Sequence, residues 1–133
     1  MEEIKKLSNT IVNYSLKLKE KERVLITSYP ECLDLILSLI EDINKVGAIP
    51  FVNMKNDIVN AKLLEITNDN RINLLKKIKQ EEVDNYDAFI NIRYTTNDYE
   101  ELNTNSEILK KIGEATIDSD NIRINKRKWV LLN

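Results

Sequence analysis

Arg93 closes the run Asp87-Ala88-Phe89-Ile90-Asn91-Ile92, which places a guanidinium at the carboxyl end of an apolar, strand-like segment. In an open α/β sheet that end faces the ligand crevice, and a guanidinium there suits a carboxylate through paired N–H···O bonds. Tyr29 follows a second such segment, Arg23-Val24-Leu25-Ile26-Thr27, and brings a phenol to the corresponding place. Arg93 and Tyr29 are therefore the candidate substrate-binding residues. The plainer reading of Arg93 is a salt bridge to a local acid. Asn91, an amide inside the same apolar run, reads as a hydrogen-bonded core group.

Other residues with chemical potential are better explained by structure. Cys32 lies early in a helix, where the dipole favours a thiolate, but a lone Cys is more often a small buried apolar residue. Glu41-Asp42 and Glu81-Glu82 are sequence neighbours and point to different sides of a helix, so they read as solvated faces. The basic clusters Lys76-Lys77-Lys79 and Lys126-Arg127-Lys128 have acids nearby and read the same way.

Absences exclude whole classes of chemistry. The 133 residues contain no histidine, which removes a Ser-His-Asp triad, a Cys-His pair and an H-E-x-x-H zinc site. Gly47 and Gly113 are the only glycines, too few for a phosphate loop or a dinucleotide fingerprint. A phospho-acceptor receiver needs acids after its first strand and an Asp after its third; Ser28-Tyr29 and Arg93 stand there instead.

The elements that position Tyr29 and Arg93 follow from periodicity. Ile4, Leu7, Ile11, Tyr14 and Leu18 form one helical stripe over residues 2–18. Strands are expected near 23–28, 49–54, 87–92 and 128–133. Ser28, Pro30 and Glu31 suit the start of a helix that buries Leu33, Ile36, Leu37, Ile40 and Ile43. Gly47 lies just past its end, where a left-handed residue is wanted. Pro50 suits an edge strand. Asn56-Asp57 and Asn68-Asp69 cap two further helices, the second running to about 80 with Ile72, Leu75 and Ile78 inward. Residues 95–104 read as polar loop with room for a helical turn. Ser106 caps a helix carrying Ile108, Leu109 and Ile112, and residues 116–127 have the least regular pattern.

Helices between single strands imply parallel pairing, because a parallel return needs a crossover of that length. The expected fold is one α/β domain of the Rossmann or flavodoxin kind, with a mostly parallel four-stranded sheet and helices on both faces. Strands one and three are central neighbours, strand two lies outside strand one, and the switch point brings Ser28-Tyr29 and Arg93-Tyr94 to one crevice.

Composition is that of a folded domain: 42% hydrophobic, 32% charged and a net charge of −2. That charge makes no case for nucleic acid or an anionic membrane. Apolar stretches are short and broken by charge, and the N-terminus is no secretory signal. One cysteine allows no internal disulfide and fits a cytoplasmic location. Lys126-Arg127-Lys128 leads into Trp129-Val130-Leu131-Leu132, and the sequence stops one residue later. This is expected of the front part of a longer protein. Trp129, Val130 and Leu132 are then expected to be exposed, which favours a homo-oligomer.

Four segments, in order, resemble the aminopeptidase T/aminopeptidase S/PepS family of metallo-aminopeptidases. They are Val12-Asn13-Tyr14-Ser15-Leu16-Lys17-Leu18-Lys19 with Glu22-Arg23-Val24-Leu25-Ile26, then Val46-Gly47-Ala48-Ile49-Pro50-Phe51-Val52, then Asp87-Ala88-Phe89-Ile90-Asn91-Ile92-Arg93, and finally Arg127-Lys128-Trp129-Val130-Leu131. The likeness spans residues 7–132. The turn Lys19-Glu20-Lys21-Glu22 departs from the family's usual Pro-Gly, and residues 116–126 match poorly. The resemblance implies a two-domain parent that removes N-terminal residues from peptides with two divalent metal ions (Zn, Co or Mn). Its metal site would lie in a C-terminal domain outside residues 1–133, so no catalytic residue, metal ligand or cofactor is assigned within this chain. Peptide substrate would reach the parent through that second domain. The competing reading is a free-standing α/β binding or protein-interaction module.

Overall fold

A computed structural model of the chain describes residues 1–94 and 106–133; the expected polar loop at 95–104 lies outside them. The strands are β1 (Arg23–Ser28), β2 (Ile49–Met54), β3 (Ala88–Ile92) and β4 (Lys128–Leu132). The α-helices among the described residues are α1 (Glu2–Thr10), α2 (Leu33–Lys45), α3 (Asp57–Glu65), α4 (Asp69–Asn85) and α5 (Ser106–Lys126). All pairings are parallel, in the order β2-β1-β3-β4. The expected α/β class, central β1–β3 pair and outer β2 are thus observed, with Pro50 on an edge strand.

Each strand shows its alternate residues to different layers. Val24 and Ile26 of β1, Ala88, Ile90 and Ile92 of β3, and Val130 and Leu132 of β4 pack with α1 and α2. This is the main core, and it contains Ile36, Leu39 and Ile43 of α2. Leu25 and Phe89 face the opposite layer, against Val83 and Tyr86 at the end of α4 and Ile122 of α5. Near-continuous apolar runs in β1 and β3 follow from burial on both faces.

Several expectations are corrected. The first helix does not keep its stripe to residue 18. It widens into a π-helical turn at Ile11–Ser15, with the Leu16 N–H donating to the Ile11 carbonyl at 2.9 Å. The wider turn rotates the buried face to Ser8, Ile11, Val12 and Leu16 and leaves Tyr14 70% exposed. In α2, Leu33 and Leu37 lie on the exposed flank, while Leu39 takes the buried position between Ile36 and Ile43. In α4, Ile72 is buried but Ile78 is exposed, and Val83 closes the face. Residues 116–127 are mostly helix: α5 continues to Lys126, and its buried hydroxyls are satisfied by the helix itself. Thr116 Oγ1 donates to the Ile112 carbonyl at 2.9 Å, and Ser119 Oγ donates to the Thr116 carbonyl at 2.9 Å. Such back-bonding lets polar residues occupy a helix interior. In β4, Val130 and Leu132 join the core, and Trp129 and Leu131 are the exposed pair.

Ser28 does not cap the next helix. It is the last residue of β1, its side chain is fully buried, and its hydroxyl has no hydrogen-bond partner among the described residues. The following turn is a 3₁₀ segment at Pro30–Cys32, and α2 begins only after it. Cys32 packs half-buried against the main core, as expected of a small apolar residue. The Asn56 and Asn68 caps are present: each side chain accepts a backbone N–H three residues on, at 3.0 Å. Gly47 has φ +82°, as its place after α2 requires.

The basic run at 126–128 is structural. Arg127 Nε donates to the carbonyls of Val83 and Tyr86 at 2.9 and 3.0 Å, which satisfies the end of α4. Lys128 Nζ donates to Glu22 Oε1 at 2.8 Å and to the Lys17 carbonyl at 2.9 Å. No helix among the described residues is long and apolar enough to cross a membrane.

Candidate functional site

The register of the four strands places Asn53, Thr27, Asn91 and Leu131 side by side across the sheet. One step earlier, Phe51, Leu25, Phe89 and Trp129 form the matching row. Both rows face the layer of α4 and α5. The earlier row is aromatic: Tyr86 lies edge-on to Phe51 at 5.7 Å and to Phe89 at 6.0 Å between ring centroids. The later row turns polar toward the carboxyl ends of the strands. There the sheet floors an open depression of about 460 Å³.

Helices supply the walls. Lys79 and Glu82 come from α4, and Asp120, Arg123 and Ile124 from α5. Lys55 follows β2, and its backbone N–H donates to the Ser28 carbonyl at 2.7 Å. That bond carries the parallel register one residue past the strand. Arg93 follows β3, and its N–H donates to the Leu132 carbonyl at 2.8 Å. Tyr29 and Arg93, picked from the sequence, both line this depression.

The groups in it are unevenly paired. Lys79 sits 3.7 Å from Glu82, and Arg123 lies 5.9 Å over the Trp129 ring. The Trp129 indole donates to the Ile124 carbonyl at 3.0 Å. Asp120 accepts from Thr116 Oγ1 at 3.3 Å. Arg93 is exposed and makes no ion pair among the described residues. Asn91 is half-buried and lines the depression, which corrects its reading as a core amide.

Tyr29 forms a bridge to a smaller recess beside it. Its hydroxyl donates to Asp57 Oδ1 at 3.0 Å, and its ring lies 6.4 Å from that of Tyr94. Burial, then the Asp57 hydrogen bond, pushes the Tyr29 phenol above its ordinary pKa, while the positive Arg93 opposes that shift. The phenol is therefore neutral at pH 7 and acts as a donor. Lys55 is exposed as a residue, yet neighbouring protein desolvates its ammonium. That desolvation, followed by repulsion from Lys79, lowers its pKa.

Sequence reasoning missed Lys55, Lys79, Glu82, Asp120 and Arg123. Lys79 and Glu82 are three apart on α4, as are Asp120 and Arg123 on α5; that spacing was a usable signal. Among the described residues no three His, Cys, Asp or Glu side chains are grouped to hold a metal ion. The cations that line the depression have the chemistry to pair with an anion.

A family model described as Thermophilic metalloprotease (M29) matches residues 1–128. Among solved structures, wild-type AmpT from Thermus thermophilus is similar, with a TM-score of 0.76 at 16% sequence identity. The likeness covers 98% of this chain and 35% of that chain, and at this identity it shows the fold. A comparison with curated protein sequences finds no match.

Proposed function

The chain belongs to the thermophilic metalloprotease family M29, and on that premise we propose that it is the N-terminal, non-catalytic domain of a cytoplasmic metal-dependent aminopeptidase acting on peptides. The observation that carries this reading is the family match over residues 1–128. The fold likeness, in which the chain spans 35% of AmpT, supports a second domain in the same protein.

The described residues of this chain do not fit the metal ions that such a peptidase uses. There is no histidine in the sequence, and the described acidic residues and Cys32 form no group of three. The two divalent ions are assigned to the C-terminal domain, outside residues 1–133, and no step of hydrolysis is routed through this chain. Its part is to wall the substrate cavity, with Arg93 and Tyr29 on the face turned to substrate. Edge strands β2 and β4, each with exposed apolar residues, support assembly into a homo-oligomer. The net charge of −2 supports neither a nucleic-acid nor a membrane partner.

Turnover of an aminoacyl chromogenic substrate tests the reading. The 133-residue chain should show none with added Co²⁺, Zn²⁺ or Mn²⁺, whereas the product of the gene read on downstream should show turnover that a chelator removes. Chelator-sensitive turnover by the short chain overturns the non-catalytic assignment. A longer product without turnover overturns the peptidase assignment and favours an interaction module.

A further inference from the structure

Among the described residues, the lining of the depression at the carboxyl ends of the strands carries more positive than negative charge. Four cationic side chains, Lys55, Lys79, Arg93 and Arg123, line it against two carboxylates, Glu82 and Asp120. Lys79 is answered by Glu82, and Arg123 lies against the Trp129 ring. Lys55 and Arg93 make no ion pair among the described residues, although they follow β2 and β3 and open onto the same space. Of the charges that act on Lys55, Lys79 repels it and the Glu82 and Asp57 carboxylates attract it; an anion in the depression would add to that attraction and answer Arg93 as well.

We infer that this depression binds the C-terminal carboxylate of a short peptide between Arg93 and Lys55. The planar guanidinium of Arg93 matches a planar carboxylate through two parallel bonds, and the Lys55 ammonium adds a point charge. Asn53, Thr27 and Asn91 lie in one row along the floor. Their amide and hydroxyl groups supply donors and acceptors for peptide N–H and C=O groups. The Trp129 ring adds an apolar surface for a side chain. The Tyr29 phenol is itself neutral, and its hydroxyl is engaged with the Asp57 carboxylate at 3.0 Å. A phosphate fits less well, because the chain has no glycine-rich loop to turn backbone amides toward it. The lowered pKa of Lys55 agrees with the geometry: a bound anion would restore it. The identity of the ligand rests on the reading of the chain as a peptidase domain; the anion site itself does not.

The test is titration of the full 133-residue chain with trialanine as free acid, trialanine C-terminal amide and inorganic phosphate. Binding is followed by ¹⁵N–¹H NMR and Trp129 fluorescence. The free acid should bind at least about tenfold more tightly than the amide, the ratio expected for losing one charge-assisted hydrogen-bonded pair. Arg93→Gln and Lys55→Gln should each bring the free acid toward the affinity of the amide. Arg93 is exposed, so its variant should keep the native spectrum and thermal midpoint. Equal affinity for acid and amide, no binding of either, or indifference to both substitutions overturns the proposal. Displacement of the free acid by equimolar phosphate overturns the peptide assignment. None of these results touches the peptidase reading, which stands or falls on turnover by the longer gene product.

Discussion

The carboxylate of Asp87 accepts the backbone N–H of Arg23 at 2.8 Å and the Nε of the same residue at 3.3 Å. This ties the amino ends of β1 and β3, the two central strands that deliver Tyr29 and Arg93 to one crevice. The backbone hydrogen bond from Arg23 is the first cause holding the Asp87 carboxyl below its ordinary pKa. A depressed pKa in the folded state means stability that is present above about pH 4, the unfolded value, and lost as pH falls through the folded one. The Asp87 side chain is 37% exposed, so solvent screens the pair and the contribution is small. Asp87→Ala should cost about 1 kcal/mol at pH 7, a fall in Tm of roughly 4 °C. As pH falls through the folded-state value, the variant and wild type should converge. Thermal melts across pH 2–7 check this, and a constant difference at all pH values contradicts it.

Gly47 is the hinge between α2 and β2. Its φ of +82° is a left-handed conformation, and an added Cβ would stand 3.0 Å from Cγ of Glu20. The Glu20 side chain is flexible and can move, so the backbone term dominates. Gly47→Ala should destabilise the chain by about 1–2 kcal/mol. Glu20→Ala in the same background should recover little of that loss. Urea unfolding of the two variants is the check; full recovery in the double variant would show that the contact, not the backbone, sets the cost.

Asn68 holds the start of α4 by accepting the Arg71 N–H at 3.0 Å. The same helix carries Lys79 and Glu82 into the depression. Asn68→Ala should cost about 1 kcal/mol, and Asn68→Ser should restore most of it, since serine is an equivalent cap. Chemical denaturation measures both, and an Ala variant as stable as wild type would mean that packing alone fixes this helix end.

The sheet was legible because β1 and β3 are buried on both faces, and that burial writes itself as Val24-Leu25-Ile26 and Ala88-Phe89-Ile90. Pro50 and Gly47 were legible because each has one backbone demand. The π turn at Ile11–Ser15 was not: it changes the helical period from inside, while Tyr14 still falls on the ideal stripe. The end of α5 was hidden by Thr116, Ser119 and Asn121, residues that suit loops unless the helix's own carbonyls satisfy them. The smaller part of the candidate site was legible. Tyr29 and Arg93 follow strand ends, and strand ends of parallel sheets converge. The α4 and α5 contributions depend on how each helix is rotated about its axis. Lys79 and Glu82 on α4 turn inward while Ile78 turns out, an inversion of the hydrophobic pattern that only packing decides.

The exposed edge at β4 gives the last prediction. Among the described residues β4 pairs with β3 on one side only, and the outer side of an edge strand carries unpaired backbone groups. All five residues of β4 are in register with β3, and Lys128 is anchored to Glu22, which opposes fraying. Of its apolar residues, Val130 and Leu132 are held in the core, while Trp129 and Leu131 are 41% and 42% exposed. An ordered edge with apolar side chains on one face is a template for a second chain. We expect the 133-residue chain to self-associate in the micromolar range. Leu131→Lys should return it to a monomer, because a charge on an edge strand opposes pairing. Leu131 faces away from the main core, so this variant should keep the thermal midpoint of the wild type within about 2 °C, as surface substitutions do. Sedimentation velocity of both proteins decides the matter. A wild type that stays monomeric removes the edge as an interface, and a dimer that survives Leu131→Lys moves the interface to β2, where Phe51 and Val52 are also exposed.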